Sequence, residues 1–424
     1  MIKVKTLKNG LKFLKVPHQG TEAVAVLVMV KVGSRQEIAQ NNGVSHFVEH
    51  LMFKGTKKRP NTQILSQELD KIGAEFNAFT SKDHTGYYIK AEAAKIDIAL
   101  DVLSDILFNS VFDKQEIEKE RGVITEEINM YEDTPMIYCG EMLEELLFGA
   151  KHPLGRLISG PKTVIKNISR EEIINYKEKF YLPSNMIIAV AGKMDKNIEK
   201  KVQQYFFYKI QQKKVPVFIK FHDQQKKKRI LIKFKETEQV HLALGVAGLS
   251  FFSKDLPAIN LLSIILGGNM SSRLFINIRE RMGLCYYIKA GHDMYEDTGI
   301  FSIQAGLDKN RVYEALAAIL IELDKIVKNG VDKDELIKAQ DYLAGKIALD
   351  LEESLAIGSW YAKEKMFLND LKTPEQKLQE YKQVRTADIL RVAKKIFKTD
   401  KLNLSIIGPY KNEKKFLNIL KLYA

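Results

Sequence analysis

Cysteine is scarce in this sequence: Cys139 and Cys285 are the only two among 424 residues. Two thiols cannot form a disulfide framework, and their spacing matches no CxxC motif, which fits a reducing compartment. Long apolar runs are also missing, since residues 23–30 are too few to span a bilayer and predict a buried strand. The first residues lack the apolar segment of a signal peptide. We therefore expect a soluble, cytoplasmic protein without a membrane span.

Acidic residues are fewer than basic ones, which gives a formal net charge of +13. An excess of this size raises the hypothesis of a nucleic-acid or other acidic partner. However, the dense basic run is confined to residues 211–229, and no aromatic-interleaved basic surface or known nucleic-acid motif accompanies it. We interpret the charge as a solvated surface and expect no nucleic-acid partner.

An internal repeat divides the chain, which at 424 residues is too long for one ordinary core. Residues 169–195 and 385–411 each predict a helix followed by a strand that a glycine closes. The two halves share, in the same order, the glycine pairs Gly73 and Gly283, Gly86 and Gly299, Gly192 and Gly408. The sequence predicts an α+β protein of two similar domains, 1–210 and 230–424, related by duplication and joined by a lysine-rich linker at 211–229. Each domain is expected to be a mostly antiparallel sheet packed with helices.

Two of the eight histidines, His46 and His50, are four residues apart, and Glu49 immediately precedes the second. In a helix, such positions share a face with Cβ atoms about 5–6 Å apart, so two imidazoles converge on one metal ion. Glu49 lies on the same side, where its carboxylate reaches a metal-bound water without being a ligand. HxxEH is the reverse of HExxH, and both serve metal-dependent hydrolysis. The alternative is a helix with two surface or hydrogen-bonded core histidines.

A catalytic zinc also needs a third protein ligand and an open position for water. Glu120 and Glu127 are two turns apart on one face of a predicted helix, with apolar residues close by. Acids on an apolar stripe cost free energy unless they are paired or bind a metal. Glu126 is the competing candidate, although its side chain points about 100° away around the helix. The alternative for this segment is an exposed acidic helix face.

Three segments together resemble one family. They read HFVEHLMFKGT at 46–56, EFNAFTSKDHTGYY at 75–88 and ERGVITEEINMYED at 120–133. This pattern is similar to the pitrilysin/insulinase family of metallopeptidases, the inverzincins, and most to its short-chain branch, the processing peptidases of bacteria and mitochondria. The resemblance extends over nearly the whole chain.

The resemblance implies one Zn²⁺ per chain, bound by His46, His50 and Glu127. It implies that Glu49 is the general base and that Glu120 is an assisting acid outside the ligand set. Manganese and cobalt are alternatives to zinc, because nitrogen and oxygen ligands also suit those ions.

Residues 266–287 resemble the family's Arg–Tyr segment, in which the two residues are seven apart. The match implies Arg279 and Tyr286, with Tyr287 as an alternative to Tyr286. A cation and a phenol suit the binding of a peptide carbonyl and of the oxyanion that develops on it. The alternative is an ordinary surface arginine and a core tyrosine.

The resemblance further implies a zinc-dependent endopeptidase that acts on extended or unfolded peptides. Asn77 and Ala78 match the family's substrate-binding edge strand, which implies recognition of the substrate main chain. Long-chain members enclose a chamber with four such domains, so a two-domain chain implies a homodimer with Arg279 and Tyr286 supplied in trans. The alternatives are a heterodimer with a noncatalytic chain, a noncatalytic core subunit of the same fold and, remotely, a nucleic-acid-binding protein.

Overall fold

The computed structural model describes residues 2–207, 215–368 and 370–423, and its chain divides into two compact units. Unit 1 comprises Met1–Ile128, Leu157–Ile219 and Ala348–Lys372, and unit 2 comprises Asn129–Arg156, Lys220–Ile347 and Thr373–Ala424. Each unit holds one sheet packed with helices. The predicted α+β class with two similar domains is therefore confirmed.

The strands and helices are numbered along the chain. The strands are β1 (Lys3–Thr6), β2 (Lys12–Pro17), β3 (Ala23–Val30), β4 (Glu75–Thr80), β5 (Thr85–Glu92), β6 (Met186–Gly192), β7 (Arg229–Phe234), β8 (Gln239–Gly248), β9 (Cys285–Met294), β10 (Gly299–Asp308) and β11 (Asn403–Gly408). The α-helices are α1 (Val44–Met52), α2 (Thr62–Asp70), α3 (Ile96–Asn109), α4 (Lys114–Asp133), α5 (Pro135–Phe148), α6 (Lys162–Asn167), α7 (Arg170–Phe180), α8 (Ile198–Tyr205), α9 (Leu256–Gly267), α10 (Val312–Asn329), α11 (Lys333–Asp350), α12 (Ser354–Lys363), α13 (Pro374–Lys382), α14 (Thr386–Ile396) and α15 (Lys414–Ile419). None of the described helices combines the length and the apolar character that crossing a bilayer requires.

The sheet of unit 1 has six strands in the order β1-β2-β6-β3-β5-β4. It is antiparallel except for the parallel pairing of β2 with β6. The apolar run at residues 23–30 forms β3, which is buried in the middle of this sheet, as its composition predicts. Strand β4 lies at one edge of the sheet and pairs on one side with β5.

The sheet of unit 2 follows the same plan with five strands, β7-β11-β8-β10-β9. Its parallel pair is β7 with β11, and β9 occupies the edge that corresponds to β4. Gly73 and Gly283 precede these two edge strands with φ angles of +63° and +60°, a left-handed conformation that favours glycine. The repeat that the glycines indicate is therefore a repeat of structure.

Each unit also takes one helix from the other half of the chain. Helix α5, from the first half, packs on β8 and β11 of unit 2, where Cys139 and Leu143 join the buried cluster. Helix α12, from the second half, packs on β3 and β6 of unit 1. A Cβ added at Gly358 of α12 would lie 3.0 Å from the Cβ of Ala191, so this helix lies close to the sheet.

The compact units therefore differ from the continuous ranges 1–210 and 230–424 that the repeat predicts. Apolar periodicity shows that a helix has a face to bury, but not which sheet that face covers. Within the predicted linker, residues 211–214 lie outside the described residues, and residues 215–228 form neither helix nor strand.

The N-terminus of helix α1, which contains the two histidines, is defined by Gly43 and Glu37. Its N-cap, Gly43, has a φ angle of +99°, and a Cβ there would lie 2.5 Å from the carbonyl oxygen of Ser159. The buried carboxylate of Glu37 accepts hydrogen bonds from the N–H groups of Gly43, at 2.7 Å, and Ser45, at 2.8 Å. An acid in this position satisfies N–H groups that a helix start leaves without intrahelical partners, and it complements the helix dipole.

A buried arginine connects the two helices that follow in unit 1. The Arg59 guanidinium donates two hydrogen bonds of 2.7 Å to Glu68 on α2. It also donates to Asp101 at 2.6 Å and to Asp105 at 2.9 Å, both on α3. Because its charge is fully paired, Arg59 can lie in the interior.

We expect the substitution Arg59→Met to lower the free energy of unfolding by about 3–5 kcal/mol, since it leaves the buried Asp105 carboxylate without its cation. The measurement is the shift of the urea midpoint. The matched control is Lys193→Met, which removes an exposed ion pair with Glu22 and should change the free energy by less than about 0.5 kcal/mol. Equal effects of the two substitutions would contradict the structural role of Arg59.

Candidate metal centre

The structure brings together His46 and His50 of α1 and Glu127 of α4. The Nε2 atoms of the two histidines are 3.2 Å apart. The Oε2 atom of Glu127 is 3.5 Å from Nε2 of His46 and 3.4 Å from Nε2 of His50. In residues 2–207, 215–368 and 370–423, this is the one group of three or more His, Cys, Asp or Glu residues arranged so closely.

The size of this triangle fits a zinc ion. Ligand atoms about 2.0–2.1 Å from a tetrahedral zinc are about 3.3 Å from one another. The three observed separations, 3.2, 3.4 and 3.5 Å, are close to that value. Two imidazoles and one carboxylate also match the donor set of catalytic zinc sites, which leave a fourth position open.

Glu127, and not its neighbour Glu126, faces the histidines. Glu127 is half-buried with its carboxylate beside both imidazoles, whereas Glu126 is exposed. Adjacent helical residues point about 100° apart, so the two acids cannot share one face of α4. The geometry therefore favours Glu127 as the third ligand.

Glu120, two turns before Glu127, lies behind His50. Its Oε2 atom is 3.0 Å from Nδ1 of His50, and its Oε1 atom is 2.7 Å from the ammonium of Lys54. Burial alone would raise the pKa of Glu120, but its bonds to His50 and Lys54 outweigh burial and lower it. An ionised Glu120 accepts a hydrogen bond from the Nδ1–H group of His50, so that Nε2 faces Glu127. This arrangement is typical of metal-bound histidines.

The two histidines differ in the direction in which their surroundings shift their pKa. Burial, and then the charge of His50, lower the pKa of His46 to about 4 despite the nearby Glu127. Burial also acts to lower the pKa of His50, but the bonds to Glu120 and Glu127 outweigh it and raise the pKa to about 9. The two acids beside His50 therefore favour positive charge on its ring, and a metal ion bound at Nε2 would replace a proton there.

Glu49 lies next to this triangle without belonging to it. Its Oε2 atom accepts a hydrogen bond from the hydroxyl of Thr80, at the end of strand β4. Burial raises the pKa of the Glu49 carboxyl, although the bond from Thr80 and the charge of His50 act in the opposite direction. A half-buried carboxylate with a raised pKa suits a group that takes and returns a proton.

Thr80 and Lys54 are not among the site residues that the sequence predicts. Lys54 lies four residues after His50, just beyond the end of α1, and its contact with Glu120 depends on how α1 and α4 pack. Thr80 lies 31 residues from Glu49, and no spacing rule connects them. Both residues contact the predicted site through their polar side chains.

Arg279 and Tyr286 lie together in unit 2. Arg279 belongs to the π-helical segment Phe275–Arg281, and its guanidinium carbon is 5.8 Å from the centre of the Tyr286 ring. Tyr286, on edge strand β9, is 73% exposed. Tyr287 points the other way, and its hydroxyl is 3.1 Å from Nδ1 of His241. The alternation of a strand explains why only one of the two tyrosines is beside Arg279.

Asn77 and Ala78 lie in the middle of edge strand β4. Asn77 is exposed, and Ala78 is partly buried. The N–H of Ala78 donates a hydrogen bond of 2.8 Å to the side-chain oxygen of Asn77. The structure thus places both predicted substrate-binding residues at the open side of the sheet of unit 1.

Models of two protein families match successive parts of the chain. Residues 14–162 match the model described as insulinase (peptidase family M16). Residues 167–343 match the model described as the peptidase M16 inactive domain. The first range contains the whole predicted metal site, and the second contains Arg279 and Tyr286.

Two curated relatives match over nearly their full length. A protein of Bacillus subtilis named an uncharacterized zinc protease, YmxG, is 34% identical over 413 residues, which cover 97% of this chain and 99% of the relative. A Rickettsia felis protein, also named an uncharacterized zinc protease, is 32% identical, with 96% of this chain and 97% of the relative covered.

Two solved structures are similar to this chain over nearly its whole length. A protease from Helicobacter pylori has a TM-score of 0.90 at 25% identity, and the match covers 96% of this chain and 99% of that one. A structure from Pseudomonas fluorescens described as a peptidase M16 inactive domain shares the fold, with a TM-score of 0.86 at 19% identity, over 97% of this chain and 99% of that one. With its HxxEH helix and these relatives, the chain belongs to the pitrilysin/insulinase family of zinc metallopeptidases, peptidase family M16.

Proposed function

We propose that this protein is a zinc-dependent endopeptidase that hydrolyses extended or unfolded peptides. The observation that carries the proposal is the triangle of His46, His50 and Glu127, with the carboxylate of Glu49 beside it. A metal site that served structure alone would be closed by a fourth ligand and would need no neighbouring base. The zinc-protease names of the relatives support the same chemistry.

Each residue of the proposed site has a separate role in peptide hydrolysis. Zinc, when bound by His46, His50 and Glu127, supplies a Lewis acid that lowers the pKa of a bound water and polarises the scissile carbonyl. Glu49 takes a proton from the attacking water and gives it to the leaving amine. Glu120 keeps the Nδ1 proton of His50 in place, so that Nε2 stays available to the metal.

Strand β4 is the proposed binding site for the substrate main chain. The N–H of Ala78 is bonded to the side chain of its own neighbour, Asn77, which indicates that this donor points away from β5. An extended peptide added at this edge would take over that donor and continue the sheet. Such pairing needs a free, extended segment, and it therefore selects unfolded or flexible peptides over compact proteins.

Arg279 and Tyr286 are proposed to bind the scissile carbonyl and stabilise the oxyanion that develops on it. Their side chains are adjacent and accessible, and together they offer a cation and a phenolic donor. The family resemblance implies that long-chain members distribute such groups over four domains, whereas this chain has two compact units. We therefore propose a homodimer in which each Arg279 and Tyr286 serve the metal site of the other copy.

The proposed compartment is the cytoplasm. Cys139 and Cys285 are free thiols, one buried and one half-buried. Burial raises the pKa of the Cys139 thiol to about 12, so this group stays protonated and inert. A chain with two such cysteines gains no stability from an oxidising compartment.

Glu127→Gln should weaken zinc binding by about 100-fold or more, because a neutral amide replaces an anionic ligand. The measurement is zinc retention in competition with a chelator of known affinity. Glu126→Gln is the matched control on the adjacent, exposed position, and it should retain wild-type affinity. The opposite result would assign the third ligand to Glu126.

Glu49→Gln should keep zinc and lose about 10²–10⁴-fold in kcat, since the amide cannot accept the proton of the attacking water. The assay is cleavage of a long, unstructured peptide library by the purified, zinc-loaded protein, with fragments identified by mass spectrometry. Lys193→Met, which removes an exposed ion pair with Glu22 and no contact of a proposed site residue, serves as the control with unchanged activity. The absence of cleavage by the zinc-loaded wild type would contradict the proposed function.

Mixing the Glu49→Gln and Arg279→Ala proteins, each inactive alone, should restore activity. After random exchange, half of the dimers are mixed and each has one intact site, so about a quarter of wild-type activity is expected. Differently tagged copies and co-purification establish that exchange has occurred. Exchange without recovered activity would show that Arg279 does not act in trans.

A further inference from the structure

Glu49 lies on a helix, and its carboxylate accepts a hydrogen bond from a residue of a neighbouring strand. Glu49 belongs to α1, and the hydroxyl that donates to its Oε2 atom belongs to Thr80, the last residue of β4. The other oxygen of Glu49 makes no hydrogen bond with protein atoms in the described ranges. One oxygen is thus held while the other stays available for a proton.

Thr80 is itself held firmly. It pairs with Thr85 across the short hairpin between β4 and β5, and the N–H of Ser81 donates to the carbonyl of His84 at 2.8 Å. The hairpin is fixed from outside by the N–H of Arg35, which donates to the carbonyl of Lys82 at 2.9 Å. As a β-branched residue in a strand, Thr80 also has a restricted χ1 angle.

The direction of the strand explains why this side chain meets Glu49. Side chains alternate along β4, so Phe76, Ala78 and Thr80 share one face. Phe76 and Ala78 pack on the core of unit 1, which includes Phe47 and Leu51 of α1. The hydroxyl of Thr80 therefore points toward α1, on the strand whose open edge is proposed to bind the substrate.

We propose that Thr80 is a positioning residue for peptide hydrolysis: its hydroxyl orients the Glu49 carboxylate with one oxygen bound and the other free for the attacking water. This inference rests on the proposed function and adds a residue to it. Without the bond, the long Glu49 side chain regains rotamers in which neither oxygen reaches the water. The same hydroxyl couples the position of the base to β4, so that a substrate paired with this strand and the base share one rigid support.

The test compares Thr80→Val, which keeps the shape and removes the hydroxyl, with Thr80→Ser, which keeps the hydroxyl. Thr80→Val should lower kcat by roughly 10- to 100-fold, the effect of one hydrogen bond to a charged group. KM and zinc content should stay within about twofold of the wild type, because neither the edge of β4 nor a metal ligand is changed. Thr80→Ser should recover most of the lost kcat.

Thr85→Val is the matched control in the same hairpin. It removes a hydroxyl that donates to the carbonyl of Val32 at 2.8 Å and has no bond to Glu49. Its kcat should equal that of the wild type. An unchanged kcat in Thr80→Val, or an equal loss in Thr80→Ser and Thr80→Val, would overturn the proposal.

The positioning role of Thr80 can be tested even if the proposed peptidase function is wrong. If the zinc-loaded wild type cleaves no peptide, crystal structures of the zinc-loaded wild type and both Thr80 variants test the positioning separately. The Glu49 carboxylate should move from its place in Thr80→Val and keep it in Thr80→Ser. An unmoved Glu49 in Thr80→Val would overturn the positioning role whether or not the protein is a peptidase.

Discussion

The start of helix α1 is the constraint on which the proposed metal site depends. Glu37 satisfies the first N–H groups of this helix, and Gly43 supplies the left-handed turn that leads into it. A shift of the start by one residue would turn His46, Glu49 and His50 by about 100° around the axis. The two imidazoles and the base would then face other surroundings. The helix register therefore sets which side chains meet Glu127 on α4.

A second requirement is that the charges of the site are balanced within a partly buried space. Glu120 bridges His50 and Lys54, so this acid, which lies outside the proposed ligand set, is neutralised by a base on each side. The carboxylate of Glu127 faces the two imidazoles, with its Oε2 atom 3.5 Å from Nε2 of His46 and 3.4 Å from Nε2 of His50. One carboxylate and two imidazoles therefore meet at one point, and such a set of donor atoms suits a divalent cation.

The local parts of this site could be predicted from the sequence. His46 and His50 follow from helical spacing, and Glu120 and Glu127 share a face because seven residues make two turns. The glycine pairs showed the duplication, since a residue such as Gly73 has a backbone conformation that only glycine adopts easily. The bond from Thr80 to Glu49 could not be predicted, because it depends on how β4 lies against α1. The exchange of α5 and α12 between the halves could not be predicted for a related reason. The apolar face of a helix shows that the helix packs on something, but not on which sheet.

That exchange of helices makes the folding of each half of the chain depend on the other half. The sheet of each unit is covered on one face by a helix encoded in the other half of the chain. Without that helix, each sheet would expose an apolar face to water. Each half of the chain therefore needs a helix of the other half to complete its core, and we expect neither half to fold by itself.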